Sequence, residues 1–460
     1  MRRVLVTGAG VAGRGVAAAL VAEGAHVTVA DGDADRLAAL AADLGVETAH
    51  APDGPPEGTD LVVTSPGWRP DNPLLLAAAA AGVEVVGDVE LAWRLGARLP
   101  RPPVWLAVTG TNGKTSTVLM LESMLRAHGL DAVACGNVGL PVVDAVRAGH
   151  EVLAVELSSF QLHWQSSMRA HASVVLNLAE DHLDWHGGMD AYAGAKAAVH
   201  TGAKFVVHNL DDDWSTRLTE GHDGTKVGFS LSTPRPGELG LVEDLLVDRA
   251  YIAEPATSAE ELFTLADVRP QVPHAVSNAL AAAALARACG VTPEAVRQGL
   301  LDYRPGAHRS VRVGAVDGVL YVNDSKATNP HAAASSLRGF ESAVWIAGGL
   351  LKGASVDELV AEVAGRLRGV VLIGRDAGVI AAALARHAPE VPVHRVAAGD
   401  DGAMTAAVNA ARAMARPGDV VLLAPAAASM DMFRDYAHRG EAFAAAVGAQ
   451  APAPGGAGVG

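Results

Sequence analysis

Apolar and polar positions alternate along this chain on two scales. Short runs rich in Val, Leu and Ile read as strands at 4–6, 27–30, 61–63, 106–108, 152–155, 174–176, 205–207, 344–346, 370–373 and 420–423. Between them lie Ala/Leu-rich stretches, such as 36–44 and 358–367, that read as helices. Alternation of this kind builds βαβ units around mostly parallel sheets, because a strand returning parallel to its neighbour needs a crossover. Two compositional breaks cut the pattern: RLPRPP at 98–103 and DYRPGAHRS at 302–310. They predict domains at 1–100, 101–305 and 306–448, with the low-complexity AQAPAPGGAGVG of 449–460 as a disordered tail. No repeat of fixed period is present. The expected class is α/β in three domains: Rossmann-like at both ends, with a central P-loop-type domain on a mostly parallel sheet.

Residues able to do chemistry gather just after the predicted strands, where open α/β sheets bind ligands. VLVTGAGVAGRG places G-x-G-x-x-G at Gly8, Gly10 and Gly13, and Asp31 follows the second strand, where a ribose-binding acid would sit. This reads as a nucleotide diphosphate site at a helix N-terminus, or as a structural tight turn. A second glycine loop, AVTGTNGKTSTVLM at 107–120, is a P-loop two residues short. The usual pattern wants Gly where Val108 stands, and the first available is Gly110. Even so, Gly110 and Gly113 let backbone N–H groups turn inward on phosphate oxygens. Lys114 can neutralise the outer phosphates, and the Thr115 hydroxyl can ligate Mg²⁺.

AVELSSFQL leaves Glu156 at a strand's end, suited to Mg²⁺ by its oxygens or simply a salt-bridged Glu. The stretch 174–199 then gathers Glu180, Asp181, His182, Asp184 and His186, at a spacing that is no zinc signature. Lys196, alone in an apolar helix, reads by itself as a snorkelling surface lysine. In the third block VNDSKATNP, GGLLKG and APAAASMDMFRDYAHRGEAF each follow a predicted strand, so the three loops should meet at one edge of the third sheet. Lys326, Lys352, Thr328 and Ser429 would there offer two cations and two hydroxyls to a small dianion such as a dicarboxylate. Asp324 is placed to orient a nucleotide or hold a metal.

Composition narrows the class. Acidic residues outnumber basic ones by 51 to 36, a net charge of -15 that argues against a nucleic-acid binder. Half the residues are hydrophobic but only 4% are aromatic, so the cores must be built mainly of Ala, Val and Leu. Cys135 and Cys289, far apart, make no disulfide framework or thiolate metal site and point to a reduced compartment. The basic start has the look of a secretory leader, but the glycines of VLVTGAGVAG interrupt its apolar run. The apolar stretch 74–83 is too short to span a bilayer. A soluble, cytoplasmic chain is expected.

Taken in order, these stretches resemble the Mur ligases. The resemblance is carried by GTNGKT (110–115), GNVG (136–139), ELSSFQL (156–162), NLAEDHLDWH (177–186), AYAGAK (191–196) and HAVSNALAA (274–282). HRSVRV (308–313), NDSKATNP (323–330) and AAASMDMF (426–433) complete it, and NDSKATN is similar to the branch that adds D-glutamate. Only the tail is left uncovered. The resemblance implies ATP-driven ligation of D-glutamate to UDP-N-acetylmuramoyl-L-alanine through an acyl phosphate, giving ADP and phosphate, in cytoplasmic peptidoglycan precursor synthesis. It implies that ATP is held by Gly110, Thr111, Asn112, Gly113, Lys114, Thr115 and Ser116, with Asn278, Arg309 and Asp324. Thr115, Glu156 and His182 would ligate Mg²⁺, joined by Lys196 once CO₂ has carbamylated it.

By the same resemblance the N-terminal turn takes UDP rather than NAD, through Val11, Ala12 and Asp31, with Ser65 and Gly67 close by. Asn137 and Ser158 or Ser159 would lie near the muramoyl-peptide arm. D-glutamate would be held by Thr328, Lys352, Ser429 and Tyr436, and Lys114, His182, Lys196 and Lys326 form the implied catalytic set. The partners are then small molecules only, with no nucleic acid, no membrane insertion and a monomer expected. Three positions depart from the family pattern: GGLLK replaces Gly-Gly-Asp-Gly-Lys, Tyr436 stands where Phe is common, and Ala424 where Ser is frequent. A sister ligase adding another amino acid is the nearest alternative, with folylpolyglutamate synthetase further off. An NAD-binding oxidoreductase would account for Gly8, Gly10, Gly13 and Asp31 but leaves GTNGKT unexplained. An ATP-hydrolysing switch is the third alternative.

Overall fold

The computed structural model describes residues 2–304, 306, 308–396 and 402–449. The tail expected to be disordered lies, from residue 450 on, outside the described residues. Two compact units divide the chain. The first runs from the N-terminus to Leu178 and from His182 to Tyr303, and the second holds Ala179–Asp181 and the chain from Arg304 onward.

The first unit carries two sheets. Strands β1 (Arg3–Thr7), β2 (His26–Asp31), β3 (Glu47–His50), β4 (Leu61–Thr64) and β5 (Glu84–Gly87) form a parallel sheet in the order β3-β2-β1-β4-β5. The second sheet adds β6 (Val104–Thr109), β7 (Ala132–Gly136), β8 (Val152–Glu156), β9 (Ala172–Val175), β10 (Phe205–Asn209) and β11 (Thr225–Phe229). It continues through β12 (Glu238–Val242), β13 (Leu245–Asp248) and β14 (Glu260–Thr264), in the order β14-β13-β12-β11-β10-β9-β6-β8-β7. Only its last two pairings are antiparallel. The two sheets are coupled where Gly87 donates its N–H to Trp164 O at 3.0 Å and Gln161 Nε2 donates to the buried Asp88 carboxylate at 3.2 Å.

In the second unit β15 (Val311–Val316), β16 (Val319–Asn323), β17 (Ala343–Gly348), β18 (Leu367–Ile373), β19 (Val393–Arg395) and β20 (Val420–Leu423) make a sheet ordered β15-β16-β20-β17-β18-β19. All its pairings are parallel except β15 with β16. The α/β class with mostly parallel sheets in three domains is therefore observed.

Each predicted strand exists, with one shift. The strand expected at 174–176 ends at Val175, although Leu176 still gives its N–H to Thr109 O of β6 at 2.9 Å. The helix expected at 358–367 is corrected: it spans Asp357–Val363, tightens into one 3₁₀ turn at Ala364–Arg366, and Leu367 already opens β18. Gly365 weakens the helix there, and Leu367 gains more by burial in the sheet than as one more helical turn. The antiparallel extension β12–β14 escaped the hydrophobic pattern because its strands are short and half polar, as in EELFT.

An alanine-rich core sets the position of the phosphate-loop helix. In the helix Pro273–Ala288 every residue from Ala279 to Ala286 is buried. A Cβ on Gly299 would stand 2.3 Å from Met124 Cα, so only glycine lets the helix Pro293–Asp302 close on the helix Lys114–Ala127. Ser123 Oγ locks that contact by donating to Gly299 O at 2.7 Å. Among the described residues no helix is long and apolar enough to cross a membrane.

Candidate active site

Each glycine turn of the first unit leaves the C-terminal end of a central strand, beside the point where strand order reverses. In the N-terminal sheet this point lies between β1 and β4. Gly8 adopts φ +97°, and a Cβ there would meet Ser65 Oγ at 2.6 Å; a Cβ on Gly13 would lie 1.8 Å from Gly8 O. The helix Val11–Ala22 can therefore pack onto the turn only with glycine at position 13. Val11 stands 76% exposed at the start of that helix, Ala12 is half-buried and Gly67 is exposed. The Asp31 oxygens brace the turn: Oδ2 accepts Ala9 N–H at 2.6 Å and Oδ1 accepts Asp33 N–H at 2.9 Å. Burial alone would raise this carboxyl, but the N–H groups of Ala9, Asp33 and Gly32 outweigh it and hold it below the ordinary 3.8.

In the second sheet the reversal lies between β6 and β9, and the loop from Gly110 to Gly113 sits there with φ of +148° and +87° at its two glycines. Asn177, just past β9, pins the loop. Its Oδ1 accepts Asn112 N–H at 2.9 Å, its Nδ2 donates to Asn112 O at 3.1 Å, and its carbonyl accepts Thr111 N–H at 3.0 Å. Thr111 Oγ1 meets Tyr192 OH at 3.0 Å. Lys114 folds back over the turn, donating to Gly110 O and Thr111 O at 2.9 Å each. Asn278 packs its amide against Gly113, whose missing Cβ would lie 2.3 Å from Asn278 Oδ1. Ser116 follows, half-buried, in the first turn of the helix.

Glu156 ends β8 with its carboxylate 1% exposed. It accepts Thr115 Oγ1 at 2.7 Å and Asn137 Nδ2 at 3.0 Å. Both donors are neutral, so among the described residues this buried charge has no cation paired with it. The structure overturns the bare-sequence reading of Lys196 as a surface side chain. It is 2% exposed, donates to Gly110 O at 2.8 Å and Thr109 Oγ1 at 3.3 Å, and lies 4.9 Å from the Tyr192 ring centre. Ser158 caps the helix Ser159–His163 in a capping box with Gln161, while Ser159 Oγ meets His186 Nε2 at 2.9 Å. His182 takes a left-handed φ of +54° and sets its ring edge-on to Phe160, centres 4.7 Å apart. Burial, then the charges of His163, His182 and Lys196, push the His186 imidazole down to about 4. A cleft of about 290 Å³ opens beside it, lined by Arg69, Asp71, His163, Trp185 and His186, where Arg69 donates to Asp184 O at 3.2 Å.

In the second unit the three predicted loops do meet, since β16, β20 and β17 are parallel neighbours. Ala426 N–H bonds Ala327 O at 3.0 Å, and Leu350 and Ala428 exchange N–H bonds at 2.8 and 2.9 Å. Ser429 is buried, Thr328 half-buried, and Lys326 Nζ lies 3.8 Å from the Tyr436 ring centre. Lys352 stands exposed in a turn at φ +52°. Asp324 is buried, accepting Ser310 N–H at 3.1 Å and the Ser336 hydroxyl. Burial raises its carboxyl against the pull of those bonds and of the Arg309 charge. Arg309 itself is half-buried on the segment leading into β15. Asn177, Tyr192 and Arg439 contribute geometry that sequence reasoning missed, although Asn177 opens a quoted motif directly after a strand.

Comparison with known proteins agrees along the chain. Family models match for a "Mur ligase MurD-like, N-terminal domain" over residues 2–87, a "Mur ligase middle domain" over 108–286 and a "Mur ligase, glutamate ligase domain" over 308–427. The chain is 60% identical to a UDP-N-acetylmuramoylalanine–D-glutamate ligase of Thermobifida fusca, covering 98% of this chain and 99% of that one. A protein of the same name from Streptomyces avermitilis is 56% identical, over 97% and 98%. Among solved structures, a UDP-N-acetylmuramate-alanine ligase of Thermotoga maritima superposes with a TM-score of 0.58 at 19% identity, over 98% of this chain and 99% of that one. That last likeness is one of fold.

Proposed function

The chain belongs to the Mur ligase family, and from that premise we propose that it ligates D-glutamate to UDP-N-acetylmuramoyl-L-alanine, driven by ATP. The observation that carries this reading is the 60% identity, over nearly the full length of both chains, to a ligase of that name. In the proposed reaction the alanyl carboxylate attacks the γ-phosphorus of ATP, giving an acyl phosphate and ADP. The D-glutamate amine then attacks the activated carbonyl carbon; the tetrahedral intermediate expels phosphate, and the amine loses a proton. The medium is the cytoplasm, and the working form a monomer.

The middle domain suits the first step. Inward-facing N–H groups of the turn at Gly110–Gly113 receive phosphate oxygens, held in register by Asn177. Lys114 exchanges its two loop carbonyls for phosphate oxygens, placing a cation where negative charge accumulates. Mg²⁺ fits Thr115 and Glu156, an all-oxygen pair whose buried carboxylate has only neutral donors. When bound, Mg²⁺ supplies positive charge against the polyphosphate. Lys196, buried beside the same loop, is the residue we assign to carbamylation, which would convert its amine into an anionic oxygen donor. D-glutamate falls to Thr328, Lys352, Ser429 and Tyr436, and UDP to the turn around Gly8, Val11 and Ala12.

Phosphate release from ATP tests the assignment, using the nucleotide sugar and a panel of amino acids. Release that requires both UDP-N-acetylmuramoyl-L-alanine and D-glutamate, and is not supported by L-glutamate, is the expected result. Release with a different amino acid would reassign the chain to a sister ligase, and release needing no amino acid would overturn ligation. For Lys196, enzyme stripped of CO₂ should regain activity on adding bicarbonate, whereas Lys196→Gln should not respond.

A further inference from the structure

Beneath the loops of the second unit lies a cation whose hydrogen bonds, among the described residues, all go to neutral acceptors. Arg439, in the helix Tyr436–Gly448, is 1% exposed. Its Nε donates to Ser325 Oγ at 3.0 Å, one Nη to Ala427 O at 3.0 Å and the other to Ser325 O at 2.9 Å. These acceptors sit in two different loops: Ser325 directly precedes Lys326 and lies three positions before Thr328, and Ala427 lies two positions before Ser429. Ser325 Oγ in turn donates to Tyr436 O at 2.7 Å, so the guanidinium, both loops and the first residue of the helix form one hydrogen-bonded cluster.

None of the acceptors is charged, and among the described residues Asp431 is the acid whose charge reaches Arg439. Burial pulls the guanidinium down to about 10, which still leaves it protonated at neutral pH. Holding an ion out of water on neutral partners is unfavourable, and a packed apolar side chain would fill the same space at lower cost. What only the charge provides is a positive potential, weakly screened, at the end of β16 and β20.

We propose that Arg439 is a positioning and specificity-determining residue for an acidic amino acid, joining the two loops that receive it and favouring its side-chain carboxylate. This rests on the reading of these loops as the amino-acid pocket. Arg439 touches no substrate in this scheme and acts through Ser325, Ala427 and its field.

The test uses the full chain and phosphate release with the nucleotide sugar and ATP saturating. D-glutamate is titrated as substrate, and D-glutamine as substrate or competitor, in wild type, Arg439→Lys and Arg439→Met. Arg439→Met should raise the KM for D-glutamate about tenfold, with a much smaller change for D-glutamine, so the preference for the acid contracts. Arg439→Lys, which keeps the charge without the fork, should fall between, and the KM values for ATP and the nucleotide sugar should not move. Equal losses for both amino acids would mean that Arg439 only holds the loops, and the proposal fails. If Arg439→Met does not fold, Asp431→Asn decides: it removes the opposing charge yet leaves an oxygen for Arg375 N–H. The KM for D-glutamate should then fall, and an unchanged or higher KM overturns the proposal. A wild-type chain that turns over a neutral or basic amino acid instead of D-glutamate overturns the pocket assignment and this role together.

Discussion

Two glycine turns follow central strands of two parallel sheets in the first unit, and they are braced by opposite means. The N-terminal turn is held from outside by an anion, the Asp31 carboxylate on Ala9 N–H, and offers a helix start without a side-chain cap, its Arg14 paired with Asp43. The middle turn is held by a neutral amide, Asn177, and folds its own cation, Lys114, over its carbonyls. A turn that already contains a carboxylate suits a ligand recognised by close backbone approach, whereas a turn with an ammonium of its own suits one that brings several phosphate charges. The same Gly-rich spelling therefore serves two chemistries, and the bracing group tells them apart.

Removing the cation should break the contrast most severely. Lys114→Met is expected to lower kcat/KM for phosphate release by a factor on the order of 10²–10³, the scale for losing a preorganised charge at a developing anion. The fold should survive, since the loop is also held by Asn177; circular dichroism checks that. A comparable loss of stability, rather than of turnover, would mean the lysine is structural.

Gly13→Ala comes next, because its Cβ would lie 1.8 Å from Gly8 O and 2.9 Å from Gly8 C, backbone that a rotamer change cannot move aside. We expect destabilisation of about 3 kcal/mol in thermal or urea unfolding, together with a raised KM for the nucleotide sugar and little change for ATP. Gly10→Ala is the control, as nothing stands within 4 Å of its Cβ.

Asn177→Ala removes both side-chain bonds to Asn112 and should cost about 1–3 kcal/mol, read as a higher KM for ATP and faster amide exchange at Asn112. An effect on the nucleotide sugar instead would break the assignment of this turn to ATP.

The smallest effect is the most specific. The Asp31 carboxyl is held below its ordinary 3.8, so its contribution is fully present above that value and disappears as pH falls through the lower folded one. Exchange of the Ala9 amide should therefore accelerate, beyond its intrinsic pH trend, only in strongly acid solution. In Asp31→Asn that acid-dependent increment should be absent, with a stability change of no more than about 1 kcal/mol because the site is partly solvated.

How much of this could be read in advance depended on sequence distance. Glu156 was readable because its position follows from one strand's end, and the meeting of the third-block loops because each follows its own strand. Lys196 was not, because its burial depends on Gly110, 86 positions away, and its own helix shows only a lysine among alanines. Asn177 reaches Asn112 across 65 positions and Arg439 reaches Ser325 across 114. Local pattern carries no record of such pairings. Asp31 and Asp324 show the reverse: their place after a strand is legible, but the backbone N–H groups and the hydroxyl they serve come into view only in the fold.

Alternating apolar runs and turn glycines were enough to indicate α/β domains and where each glycine turn falls, while the family was legible only through resemblance in its ordered motifs, from GTNGKT to NDSKATNP. Those features act through neighbours in sequence, by backbone sterics and by the periodicity of burial. Tertiary structure alone decided what surrounds each charge: among the described residues Glu156 and Arg439 are buried with hydrogen bonds to neutral partners, and Asp31 and Asp324 accept from backbone and hydroxyl donors. Whether a charge is free to meet a ligand depends on what folds against it and on how much water that contact excludes.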